Sequence, residues 1–110
     1  MHKAAMKIAS WNINSVRLRI EMVCRFLAEA KPDVLCLQEI KCRDGEFPAK
    51  ALKAAGYKHI HVVGQKGWHG VAIVSKLKLE PVEAPKICPK SEARIAAALI
   101  EGIEVHNLYV

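Results

Sequence analysis

The apolar positions of this chain fall into short continuous runs, interrupted by one stretch of helical period and by polar turns. Ile8 to Trp11 is mostly apolar and bounded by polar residues, which predicts a buried strand. Asn12-Ile13-Asn14-Ser15 follows as a loop, with Asn14 or Ser15 placed to cap the next helix by accepting a bond from its free amides. Val16, Ile20, Val23, Phe26, Leu27 and Ala30 recur at helical spacing, while Arg17, Arg19, Glu21 and Arg25 take the other faces. Pro32 ends that helix near Ala30, and Val34 to Leu37 predicts a second apolar strand. Strand, helix and strand in this order make a βαβ unit with a right-handed crossover.

Further along, Asp44-Gly45 marks a turn, and Pro48 suits the first turn of a short helix ending before Gly56. Lys58 to Val63 and Val71 to Ser75 read as strands, separated by the glycine-rich loop from Gly64 to Gly70. The segment from Leu77 to Ala93 carries Pro81, Pro85 and Pro89 and predicts an irregular or edge segment. Ile95 to Ile100 and Glu104 to Val110 predict a hairpin turning at Glu101-Gly102. Alternation puts Val105, Asn107 and Tyr109 on one face of its second strand. The pattern is that of an α/β fold, a mixed sheet with helices on one face. Residues 1–5 read as an N-terminal extension and 6–110 as one domain.

Composition narrows the class. Apolar residues at 52% and charged residues at 25% describe a globular chain. A net charge of +6 suits a polyanionic partner such as nucleic acid. No apolar run reaches the length of a membrane span, and the start lacks the apolar centre of a signal peptide. Cys24, Cys36, Cys42 and Cys88 show no C-x-x-C spacing, so they read as reduced thiols in a cytoplasmic setting. His59 and His61 share a strand face but lack a third ligand, and read as surface histidines.

Ligands of open α/β sheets bind beyond the carboxyl ends of the strands. Asn12 and Glu39 are the polar residues expected there. A lone carboxylate suits Mg²⁺, which often takes one or two protein carboxylates and fills its shell with water and phosphate oxygens. Position alone serves a helix cap and a solvated loop acid as well. Trp68 and His69, between Gly67 and Gly70, have two readings: contact with DNA, or packing over their own loop.

Four segments in order sharpen this. Trp11-Asn12-Ile13-Asn14-Ser15, Leu37-Gln38-Glu39-Ile40-Lys41, Gly67-Trp68-His69-Gly70-Val71-Ala72-Ile73 and Asn107-Leu108-Tyr109-Val110 together resemble the exonuclease III type of apurinic/apyrimidinic endonuclease. That family lies within the endonuclease/exonuclease/phosphatase superfamily, and the resemblance runs from Met6 onward. It implies Mg²⁺-dependent hydrolysis of DNA phosphodiesters at abasic sites and 3′ ends, with Mn²⁺ as a substitute metal. Glu39 matches the family's metal-binding glutamate and Asn12 the asparagine beside metal and phosphate. Tyr109 matches the tyrosine whose hydroxyl reaches the phosphate, and Asn107 the first residue of the same motif. Lys41, Trp68, His69 and Asn107 are the expected DNA and phosphate contacts, and double-stranded DNA with abasic sites the expected partner.

Ser91-Glu92-Ala93-Arg94 departs from the family pattern at Ala93, where glycine is usual. The G-D-x-N motif and the late aspartate–histidine pair, which prepare water and complete the metal site in the family, have no counterpart here. The resemblance is therefore to the N-terminal half of a four-layer α/β sandwich, carrying one of its two sheets. A bare inner sheet face, and so a marginal fold, self-association or dependence on a complementary C-terminal half, is the expectation, together with inactivity of this stretch alone. The alternatives are a non-DNA phosphodiesterase or phosphatase of the superfamily and a non-catalytic DNA-binding remnant.

Overall fold

The predicted βαβ unit is present: β1 (Ile8–Asn12) and β2 (Val34–Gln38) run parallel and are joined through α1 (Ile20–Ala30). The computed structural model describes residues 5–64, 70–83 and 95–109. The helix starts at Ile20 rather than Val16, and neither Asn14 nor Ser15 caps it. Both take left-handed backbone, with φ of 48° and 84°, and Arg19 occupies the cap position without a side-chain bond. Val16 to Arg19 form a separate turn, in which the Arg19 amide donates to the Val16 carbonyl at 3.3 Å. The other end behaves as expected. Lys31 turns left-handed at φ 49°, its amide donates to the Leu27 carbonyl, and Pro32 prevents a further turn.

α2 (Ala49–Ala54) follows Pro48, and the strands β3 (His59–Gly64) and β4 (Gly70–Ser75) come after it. They complete a four-stranded mixed sheet of order β1-β2-β4-β3, with β4 antiparallel to both neighbours. The central strands β2 and β4 are buried at every residue. That explains why both read as unbroken apolar runs rather than alternating ones. On one face Leu35, Leu37 and Val74 pack against Val23 and Leu27 of α1 and Leu52 of α2. Tyr57 is buried beside them, and its hydroxyl donates to the Pro32 carbonyl at 2.6 Å.

The opposite face is not bare, which corrects the one-sheet expectation. β5 (Leu79–Val82), β6 (Ile95–Ile100) and β7 (Ile103–Leu108) form a second, antiparallel sheet of order β5-β6-β7. Its Ala96, Ala98, Ile100 and Val105 pack onto Val34, Cys36, Val71 and Ile73 of the first. Full burial of an Ile or Val side chain contributes roughly 1.5–3 kcal/mol, so this second core is a substantial part of the fold. The hairpin between β6 and β7 turns at Glu101 and Gly102, with φ of 51° and 77°. Two positive φ angles are what a tight two-residue hairpin turn demands. Proline in β5 sits on an edge strand, where its missing N–H is tolerated.

The layers thus run helices, four-stranded sheet, three-stranded sheet. Among the described residues one flank is open. Between β1 and β7, an open trough of about 470 Å³ is lined by Ile8, Ser10, Cys36, Gln38, Ile103 and Val105 among others. Ile8 and Ile103 are about half exposed there, at 46% and 50%. Burial pushes the Cys36 thiol up to about 11. Among the described residues no helix is long and apolar enough to cross a membrane.

Tyr57→Phe is expected to lower stability by about 1–2 kcal/mol in urea unfolding, because the buried Pro32 carbonyl loses its donor. A change within a few tenths of a kcal/mol would show that water or another group replaces the hydroxyl.

Candidate functional site

The carboxyl ends of β1 and β2 are zipped together past the last strand residue. Asn12 stands opposite Gln38 in the parallel register. Beyond it the Ile13 amide donates to the Gln38 carbonyl at 3.0 Å, Ser15 to Glu39 at 2.8 Å and Val16 to Ile40 at 3.1 Å. Two loops that would otherwise wander therefore run side by side, and they carry Asn12 and Glu39 at one edge.

These loops concentrate unfavourable backbone. Asn14, Ser15, Glu39 and Lys41 all have positive φ, at 48°, 84°, 54° for Lys41 and 52° for Glu39. A side chain in the left-handed region costs about 1–2 kcal/mol, asparagine less than most. Four such residues in two adjacent loops persist only because the surrounding bonds over-determine them, and such strain gathers at functional sites.

The side chains at this edge are available. Asn12 is exposed and Glu39 half-buried, and neither makes a side-chain hydrogen bond or ion pair among the described residues. Arg17 does not share that freedom. Its guanidinium donates to the Lys41 carbonyl at 3.4 Å and lies 3.7 Å from Glu46, tying the loop after β1 to the loop after β2. The Arg43 amide, donating to Glu46 at 2.8 Å, holds that exposed carboxyl below its usual range, with smaller help from the Arg17 and Arg43 charges. Lys41 itself is half-buried, two residues past Glu39.

Tyr109 arrives from the other sheet. It follows the end of β7, is half-buried and packs on the core between the sheets. Two residues earlier, Asn107 is buried, 3% exposed, and bonded to Gln38. This contact brings the end of β7 to the end of β2, so Asn12, Glu39 and Tyr109 approach one edge from three strands. Asn107 is placed behind that edge, with its amide engaged by protein groups rather than turned to solvent. Trp68 and His69 lie outside the described residues, as does the segment from Ser91 to Arg94. The strand ends flanking 65–69, Gly64 and Gly70, pair with each other. The Ile40 amide donates to the Gly70 carbonyl at 3.2 Å, so they too stand at this edge.

Gly70 has a role that sequence reading missed. Its φ is 122°, and a Cβ there would stand 2.7 Å from Ile40 Cγ1. Ile40 is wholly buried, and the glycine is the space it occupies next to strained Glu39. Gln38 was missed as well. The signal for it was a polar side chain closing a strand buried on both faces, which must have a partner.

As a cation site, the edge offers, among the described residues, one free carboxylate and one free amide oxygen. No three His, Cys, Asp or Glu side chains come together among the described residues. That donor set does not fit zinc, which asks for three or four protein ligands. It does fit Mg²⁺, a hard ion that keeps several waters and uses few carboxylates.

The comparisons agree on one kinship. Residues 9–106 match the model of the Endonuclease/Exonuclease/phosphatase family. Exodeoxyribonuclease III of Haemophilus influenzae is 42% identical over 71 residues, 64% of this chain and 26% of that protein. The structure of an AP endonuclease from Archaeoglobus fulgidus superposes with a TM-score of 0.88 at 42% identity, over 96% of this chain and 41% of that one. A 3′ phosphatase from Neisseria, bound to a product DNA hairpin, superposes at 0.80 with 40% identity, again over 96% and 41%. The chain thus spans well under half the length of these relatives, and corresponds to their N-terminal part.

Gly70→Ala is expected to cost about 2 kcal/mol or more in chemical denaturation, from the left-handed φ and the displaced Ile40 together. Gly45→Ala, with nothing within 4 Å of the added carbon, serves as the neutral control. Equal effects of the two would remove the assigned role of Gly70.

Proposed function

The chain belongs to the endonuclease/exonuclease/phosphatase family, and from that membership we propose that it forms the N-terminal part of a Mg²⁺-dependent DNA repair nuclease. The reaction is hydrolysis of a phosphodiester beside an abasic site, with trimming of 3′ ends by the same chemistry. The supporting observation is the pairing of a carboxylate, Glu39, with an amide, Asn12, both without side-chain partners among the described residues, on strained loops at a carboxyl edge.

Glu39 would hold the metal, and Asn12 would stand beside it to orient a phosphate oxygen or a metal-bound water. Mg²⁺, when bound, would neutralise charge on the phosphate. Tyr109 would donate its hydroxyl to a non-bridging phosphate oxygen. Lys41, Trp68 and His69 are assigned to the DNA backbone and bases on the family resemblance, in keeping with a net charge of +6. Asn107 supports Tyr109 from behind instead of meeting the phosphate. Since the family's water-activating residues belong to a part outside this chain's span, activity requires the rest of the sandwich, carried on the same polypeptide or another. The trough between β1 and β7 is the flank on which further strands would extend both sheets.

The test is incision of a duplex carrying one abasic site. This chain, mixed with the C-terminal half of the Haemophilus relative, is expected to incise in Mg²⁺ and not in EDTA. Glu39→Ala should lower the rate by roughly 100-fold or more, since groups acting on one phosphate work as a unit. Incision that survives both EDTA and Glu39→Ala would refute the metal reading. Incision by the unmixed chain would refute the requirement for the second half.

A further inference from the structure

We infer that Gln38 and Asn107 are positioning residues, which hold Glu39 and Tyr109 in fixed register as one unit. The inference rests on the metal and phosphate reading above and concerns two side chains to which that reading gives no direct contact.

Asn107 closes every branch of its amide on protein. Its two amide hydrogens donate to the Leu37 carbonyl at 2.9 Å and the Ala72 carbonyl at 2.8 Å, and its Oδ1 accepts from Gln38 Nε2 at 2.7 Å. Gln38, 9% exposed, also donates to Ser10 Oγ at 3.1 Å. One network therefore touches β1, β2, β4 and β7. Gln38 precedes Glu39 directly, and Asn107 lies two residues before Tyr109 on the same strand face.

The core between the sheets is built from apolar side chains such as Val34, Val71, Ile73, Ala98 and Ile100. Apolar packing resists separation, but it is non-directional and sets position along the strands only loosely. A slip of β7 by one residue would move Tyr109 by about 3.3 Å and turn its side chain to the other face. It would also strand two buried amides without partners, each at a cost of about 1–3 kcal/mol. The amide network is satisfied in one register, and in that register the tyrosine and the glutamate come to the same edge.

The experiment uses the 110-residue chain with Mn²⁺ as the probe. Mn²⁺ affinity and paramagnetic broadening of the Tyr109 ring resonances are measured by NMR, with Tyr57, at the other end of β2, as the internal reference. Gln38→Met keeps side-chain length and leaves both carbonyl bonds of Asn107, so it tests register without stripping the core. Asn107→Leu removes the three bonds that Asn107 makes and leaves the Gln38 bond to Ser10, and if it does not fold the Gln38 variant decides. For folded Gln38→Met we expect Mn²⁺ binding about 10-fold weaker, the lower end of what supporting shells contribute. Tyr109 broadening at saturating Mn²⁺ should fall while Tyr57 is unchanged. Unaltered affinity and unaltered Tyr109 broadening in Gln38→Met, with both lost in Glu39→Ala, would overturn the positioning role alone. Broadening that persists in Glu39→Ala would overturn the metal reading, and this inference with it.

Discussion

A buried contact between two amides joins the two sheets at one end. Gln38 closes the central strand of one sheet, Asn107 lies near the end of the other, and 2.7 Å separates their polar atoms. The core they adjoin is built from apolar side chains, among which an unpaired amide is costly and a paired one is strongly directional. The packing of Ala96, Ala98 and Ile100 on Val34 and Ile73 supplies adhesion, and the amides supply alignment. Neither alone would place a residue of β7 reproducibly beside the loops that follow β1 and β2.

Alignment matters because those loops hold an unfavourable conformation. Glu39 is kept left-handed by its neighbours: its carbonyl is fixed by Ser15, and the next amide by Gly70. The free carboxylate is thus carried on a backbone with little latitude, and Ile40, seated against Gly70, anchors it in the core. The arrangement places rigidity beneath this edge and leaves the polar tips of Asn12 and Glu39 unengaged among the described residues. A cation that keeps most of its water needs a few donors in fixed positions more than it needs an enclosing cage.

Much of this was legible in the sequence, for identifiable reasons. Runs such as Val34 to Leu37 and Val71 to Val74 announce strands covered on both faces, and Pro32 and Pro48 bracket the helices. The placement of Asn12 and Glu39 at one edge follows from the βαβ unit. Helix capping was misread, because Asn14 and Ser15 suit a left-handed loop as well as a cap, and the ladder to Glu39 and Ile40 decides between them. The second sheet was misjudged for a different reason. β6 reads as a strand, but its alanines are too small to announce by themselves which surface they meet. The burial of Asn107 was not legible, because a polar residue on an alternating strand looks the same in sequence whether it faces solvent or core.

The separation of Gln38 from Asn107 along the chain, 69 residues, has a bearing on time as well as shape. The βαβ unit, by contrast, closes within a local segment. On a ribosome, the edge that carries Asn12 and Glu39 exists before the strand that carries Tyr109 has been made. The central sheet emerges with its inner face temporarily open to water, and loop closure over that distance must precede any contact that rewards it. During that interval the nascent chain presents a half-built, hydrophobic sheet, the kind of surface that chaperones engage.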